Sequence, residues 1–109
     1  MQSRKHWIAY TLEPKGRLII DNGAQEAIIK RGKSLLAIGV FKVEGNFQFG
    51  DSVTILNQKQ EEVARGLVNY SSAEIEKIKG IPTNEIERRL GYKHYDEVIH
   101  RNDLVVFAR

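Results

Sequence analysis

Residues 64–72, ARGLVNYSS, place an arginine, an asparagine, a tyrosine and two consecutive serines within nine positions, residue types from which a nucleophilic site could be assembled. A serine attacks only when a base such as histidine takes its proton and a tight Gly-x-Ser-x-Gly elbow exposes it. Neither accompanies Ser71 or Ser72 in sequence. The spacing Ser71-x-x-Glu74, just ahead of Ile75 and Ile78, is that of a capping box, so the stretch reads as a strand handing over to a helix.

The other reactive types are similarly dispersed. His94, Asp96, Glu97 and His100 lie close in sequence, but they lack the H-E-x-x-H spacing that sets two imidazoles on one helical face. KHYDEVIHRND therefore reads as a polar turn into a final strand. Gly32-Lys33-Ser34 has the tail of a phosphate-binding G-x-x-x-x-G-K-[ST] loop, yet Ala27 stands where its first glycine belongs. Glu61–Glu62 and Asp96–Glu97 are adjacent rather than spaced on one face, as solvated surface carboxylates are. No catalytic residue and no metal ligand is assigned.

One cluster keeps its chemistry. Lys30, Arg31 and Lys33, with Gly32 and the hydroxyl of Ser34, fall at the end of a predicted helix, and a strand starts directly after them. Cations so placed bind phosphates without reading sequence, and their binding weakens as salt rises. The charge distribution agrees: the 109 residues carry +3 overall, but residues 1–42 hold eight basic against three acidic residues, and the remainder nets −2. Such asymmetry marks a surface for an anionic partner.

These residues need a scaffold. At 109 residues the chain is one domain, 41% hydrophobic and 28% charged, within the range of ordinary globular proteins. The absence of cysteine removes disulfides, zinc ribbons and thiol nucleophiles and points to a reducing cytoplasm. No apolar run approaches the roughly 20 residues of a membrane span, and MQSRKHWIAY lacks the apolar stretch of a signal peptide. A membrane partner is not expected.

Six strand-like runs recur at 7–12, 17–20, 34–43, 52–56, 62–70 and 103–108, with turn residues at 13–16, 44–46, 49–52 and 57–60. Short strands on short connections favour a small barrel or sandwich. Gly39 interrupts the third run and reads as a bulge or corner. Three helices are predicted: one capped by Asn22 with Gln25 and ended by Gly32, one capped by Ser71 with Glu74 and ended by Gly80, and one capped by Asn84 with Glu87 and ended by Gly91.

Nearly the whole chain, from Ser3 to Val106, resembles a known family. SRKHWIAYTLEPKGRLIIDNGAQEAIIKRGKSLLAIGV and FQFGDSVTILN, and most specifically ARGLVNYSSAEIEKIKG with YDEVIHRNDLVV, resemble the carboxy-terminal PUA domain of bacterial glutamate 5-kinases. The resemblance implies a mixed α/β, mainly β pseudo-barrel of about six strands with two to three short helices, occupying residues 1–109 as a single domain. It implies a non-catalytic module excised from a parent phosphotransferase whose separate amino acid kinase domain uses ATP and Mg2+. This segment itself would hold no cofactor. By the same resemblance Lys30, Arg31, Gly32, Lys33, Ser34 and Leu35 would form an RNA-facing surface. The partners implied are the amino-terminal kinase domain of the same protein and structured RNA. The alternative is a regulatory or structural contact with the kinase domain alone.

Overall fold

Leu18, Ile19 and Ile20 are buried in succession, the mark of an interior strand covered on both faces. They belong to β1 (Gly16–Ile20) in the computed structural model, which describes residues 3–107. With β2 (Val40–Gly45), β3 (Ser52–Leu56), β4 (Glu62–Leu67) and β5 (Leu104–Val106) it forms a sheet ordered β2-β1-β3-β4-β5. β1 and β3 run parallel, whereas the other neighbours are antiparallel. The parallel pair needs a crossover, and part of it is the helix α2 (Asn22–Arg31), which rests Ile28 on the core. α1 (Ser3–His6) runs into a π-helical turn, Trp7–Thr11; α3 (Ser72–Ile78) and α4 (Ile86–Leu90) complete the helices of the described residues.

One apolar cluster unites these elements: Leu18 and Ile20 from β1, Ile55 from β3, Ile75 and Ile78 from α3, and Ile86 from α4 all sit inside it. At roughly 1.5–3 kcal/mol for each large side chain taken out of water, this burial is the main stabilising term. The edge strands are blunted. β2 carries Lys42 and Glu44, which pair with each other at 3.4 Å, and its register against β1 shifts between Ile19 and Ile20; β5 is three residues long. Charge, a bulge and brevity each discourage edge-to-edge association.

Several expectations are corrected. Residues 7–12 are not a strand: Ile8 and Ala9 are buried side by side while Trp7, Tyr10 and Thr11 face out, a helical rather than alternating pattern. Trp7, Ile8 and Tyr10 favour strands intrinsically, but tertiary contacts override that preference, and Arg65 Nη1 donates to the Ala9 carbonyl at 3.1 Å. Five strands, not six, are therefore present among the described residues. The run 34–43 is broken by a 3-10 turn at Ala37–Gly39 before β2 begins. Of the bulge or corner expected at Gly39 the structure has the corner, the end of that 3-10 turn, and the residue also serves close approach, since a Cβ there would stand 2.5 Å from the Ala24 Cβ. The strand expected at 103–108 is confined to Leu104–Val106, and Ala108 lies outside the described residues.

Helix caps follow the same local logic with two shifts. α2 is capped by Asp21, whose carboxylate accepts from Ala24 N–H at 2.8 Å, and not by Asn22. At α4 the predicted Asn84–Glu87 box is absent: Pro82 leads into a 3-10 turn at Thr83–Glu85, which runs straight into the helix without an extended cap residue. The Ser71–Glu74 box forms as predicted, with both reciprocal bonds made, and Gly32 and Gly91 close their helices in the left-handed region.

Candidate nucleic-acid interface

The basic cluster is set by how α2 ends. Gly32, at φ 62° and ψ 31°, turns the chain so that both its own N–H and that of Lys33 reach the Ala27 carbonyl. Lys30, Arg31, Gly32 and Lys33 are exposed by this turn. Lys30 is engaged by Glu26, one helical turn back, at 3.6 Å, whereas Arg31 and Lys33 form no ion pair among the described residues.

Directly after the turn the chain is stapled to a distant segment. The Leu35 N–H donates to the Ile99 carbonyl at 2.9 Å, and the Leu35 carbonyl accepts from Val98 N–H at 2.8 Å. Ser34 Oγ accepts from Arg101 N–H at 2.8 Å. These bonds bring the exposed Arg101 beside Ser34, and both line, together with Lys33, a cleft of about 730 Å³. α2 lines it at Gly23, Ala24 and Ala27, and Leu36 with Ile38 of the 3-10 turn that follows line it as well, 39% and 51% exposed. That is a large exposure for side chains of this kind beside a concave surface. Asp21 and Glu97 add carboxylates and His100 an imidazole, whose Nδ1 accepts from Asn102 N–H at 3.1 Å. The lining thus combines apolar side chains with two cations, Lys33 and Arg101, and two acids.

Of the residues the sequence nominated, Lys33 and Ser34 line the cleft. Lys30, Arg31 and Gly32 sit on the adjoining helix end. Leu35 is fully buried and both of its backbone polar groups are bonded, so it fixes the segment and presents no side chain to a ligand. Arg101, Leu36 and Ile38 also line the cleft and were not nominated, and His100, weighed above only for a metal site, lines it too. No local signal could have found Arg101, because its place depends on a hydrogen bond spanning 67 positions.

The serine pair at the end of β4 is structural. Ser71 caps α3, and Ser72 Oγ accepts from Phe47 N–H at 3.2 Å and donates to the Phe47 carbonyl at 3.3 Å. Among the described residues, no three His, Cys, Asp or Glu side chains are grouped to hold a metal ion. No helix there is long and apolar enough to cross a membrane.

A sequence profile of the PUA domain matches residues 16–90. The chain belongs to the PUA family. A PUA domain is a module distinct from the catalytic domain, and this chain is similar to glutamate 5-kinases, in which the kinase domain lies elsewhere. The chain is 58% identical, over all 109 residues, to glutamate 5-kinase of Thermoanaerobacter sp. strain X514, and 52% identical to that of Dictyoglomus turgidum. It spans 29% of the length of each of these relatives. Its fold is similar to that of a PUA domain from Aeropyrum pernix K1 crystallised with tartrate, with 24% identity, a TM-score of 0.56, and coverage of 87% of this chain and 43% of that one. It is also similar to a chain of the archaeal box H/ACA sRNP Nop10-Cbf5 complex, with 22% identity, a TM-score of 0.55, and coverage of 88% and 24%.

Within this PUA domain, the two motifs that most resemble glutamate 5-kinases fold against each other. Asn69 N–H donates to the Val98 carbonyl at 2.8 Å and its side-chain amide donates to the Glu97 carbonyl at 3.1 Å. The buried Tyr70 hydroxyl donates to the Tyr95 carbonyl at 2.5 Å and accepts from Tyr95 N–H at 3.1 Å. GLVNYSS is thus the clamp that holds the segment bearing EVIHRND over the sheet, and that segment supplies Arg101 to the cleft.

Proposed function

We propose that this PUA domain is the carboxy-terminal module of a cytoplasmic glutamate 5-kinase and binds structured RNA through phosphate contacts. The parent enzyme would phosphorylate the side-chain carboxylate of L-glutamate, the first step of proline biosynthesis. Its ATP and magnesium would be held by the amino-terminal kinase domain. The residues of this chain do not suit a nucleotide-phosphate loop: the glycine expected at position 27 is Ala27, and Ser34 Oγ is already engaged by Arg101 N–H.

The observation that carries the RNA reading is that Lys33 and Arg101, far apart in sequence, line the same cleft, with Lys30 and Arg31 on the adjoining helix end. Cations clustered on one face supply most of the free energy of sequence-independent RNA binding. The test is a titration of a fluorescently labelled hairpin RNA into the purified chain and into a Lys30→Ala, Arg31→Ala, Lys33→Ala variant. Saturable binding at low salt that the triple variant loses supports the reading; absent binding, or binding that the variant retains, removes it.

A second reading is favoured by Trp7 and Tyr10, which are 55% and 70% exposed on the π-helical turn. Large exposed aromatics suit a protein-facing surface, so the domain would then steady or regulate the kinase domain by direct contact. Altered turnover or feedback inhibition in a full-length enzyme carrying Trp7→Ser and Tyr10→Ser, with RNA binding intact, would favour this reading.

A further inference from the structure

A second concavity, of about 510 Å³, shares no lining residue with the basic cleft and is bounded by Phe49, Tyr70 and Tyr95 with Glu74, Asn69 and His94. Phe49 is 60% exposed and Tyr95 41% exposed, and their rings stack at 5.8 Å with a 19° tilt. Tyr70, buried beneath, meets the Tyr95 ring edge-on at 6.3 Å. A phenylalanine held this far into solvent on a tight turn gains little from burial. Its position is fixed, because Gln48 N–H donates to Asp51 at 2.8 Å and Gly50 N–H donates to the Val68 carbonyl at 2.8 Å.

The carboxylate beside these rings is also fixed. Glu74 Oε1 accepts from Ser71 N–H at 2.8 Å, and Oε2 accepts from the Tyr92 hydroxyl. Each oxygen keeps a lone pair, since an ionised carboxylate offers about four acceptor sites. Burial works to raise the Glu74 carboxyl, but hydrogen bonds from Tyr92 and Ser71, with the charge of His94, outweigh it and bring the group below its ordinary value. Neither Lys nor Arg is among the described lining residues. Flat π faces next to a preorganised carboxylate are complementary to a planar cation.

We propose that this concavity binds a guanidinium group, presented by an arginine side chain of a protein partner, which stacks on the Phe49 and Tyr95 rings and donates hydrogen bonds to Glu74. A peptide-borne arginine fits better than the free amino acid, because no Lys or Arg among the described lining residues is placed to receive an α-carboxylate. The site is separate from the basic cleft, and its charge preference is the opposite one.

The test follows backbone amide shifts of the chain by nuclear magnetic resonance during titration with acetyl-arginine amide, acetyl-citrulline amide, free arginine and adenosine. The expected result is saturable shifts at Phe49, Asn69, Tyr70 and Tyr95 with acetyl-arginine amide and none with its neutral citrulline analogue. Glu74→Gln, which preserves the capping-box spacing, should weaken binding roughly tenfold, the loss of one charge-assisted pair. Phe49→Leu, an exposed change that spares the core, should weaken it as well. Equal shifts with citrulline, equal affinity in both variants, or stronger binding of free arginine would overturn the proposal. So would comparable shifts from adenosine, which would make the rings a platform for nucleobases.

Discussion

Ser34 Oγ and Arg101 N–H are joined by a 2.8 Å hydrogen bond across 67 positions of sequence. This contact ties the end of α2 to the segment that precedes β5 and turns two basic stretches into one surface. Replacing Ser34 with alanine removes the acceptor while leaving every charge in place. The expected cost is about 0.5–1.5 kcal/mol of stability, read from urea midpoints at unchanged slope, together with broadened amide signals at residues 100–102. A variant whose Arg101 amide keeps its wild-type hydrogen-exchange protection would contradict this role.

The capping box at Ser71 makes a separate prediction. Ser71 Oγ accepts from Glu74 N–H at 3.2 Å, and the Glu74 carboxylate accepts from Ser71 N–H. Ser71→Ala should therefore destabilise the chain by about 1 kcal/mol, with the loss concentrated in α3 by hydrogen exchange. The same measurement on Ser71→Asp should find most of the stability kept, because aspartate caps as well as serine.

Gly39 and Ala24 hold α2 against the 3-10 turn. A methyl group on Gly39 would stand 2.5 Å from the Ala24 Cβ, so Gly39→Ala must push α2 away from the 3-10 turn. Overpacking of this kind costs about 1–3 kcal/mol. Gly23→Ala, whose Cβ would have only the Asp21 carboxylate within reach, at 3.6 Å, should be tolerated. Thermal melts of the two variants side by side measure the contrast.

Glu74 makes its own contribution to the pH dependence of stability. The Glu74 carboxyl lies below its ordinary value of 4.5 in the folded chain, so the folded state holds its proton less readily than the unfolded chain does. Its contribution to stability is present above about 4.5 and is lost as pH falls through the lowered folded value. The stability difference between the wild-type chain and Glu74→Gln should thus be constant near pH 7 and shrink below about pH 4.5. Urea unfolding of both at several pH values checks it, and a gap that widens on acidification would contradict the assignment.

Local chemistry was legible in the sequence wherever a short-range pattern fixed the outcome. The Ser71–Glu74 spacing, the left-handed Gly32 and Gly91, and the apolar run of β3 each needed no distant partner. Errors came where a distant partner decided. Trp7–Thr11 has strand-forming residues, yet its helical turn is held by Arg65. Asp21 took the cap expected of Asn22 because Asp21 N–H is itself anchored to the Gly39 carbonyl, which fixes the helix start one residue earlier. The candidate site divides the same way. Lys30, Arg31 and Lys33 could be nominated from a helix end, but Leu35 faces the core because its strand-like bridge to Ile99 turns it inward, and Arg101 enters only through the fold.

The central claim is that Lys33 and Arg101 act as one phosphate-binding surface, and the salt dependence of RNA binding tests it most directly. Affinity for a structured hairpin RNA should fall linearly on a log–log plot against salt between about 50 and 200 mM. Lys33→Ala and Arg101→Ala should each lower the magnitude of that slope by about one and weaken binding to unrelated hairpins equally. A slope unchanged by either substitution, or affinity indifferent to salt, would contradict the account.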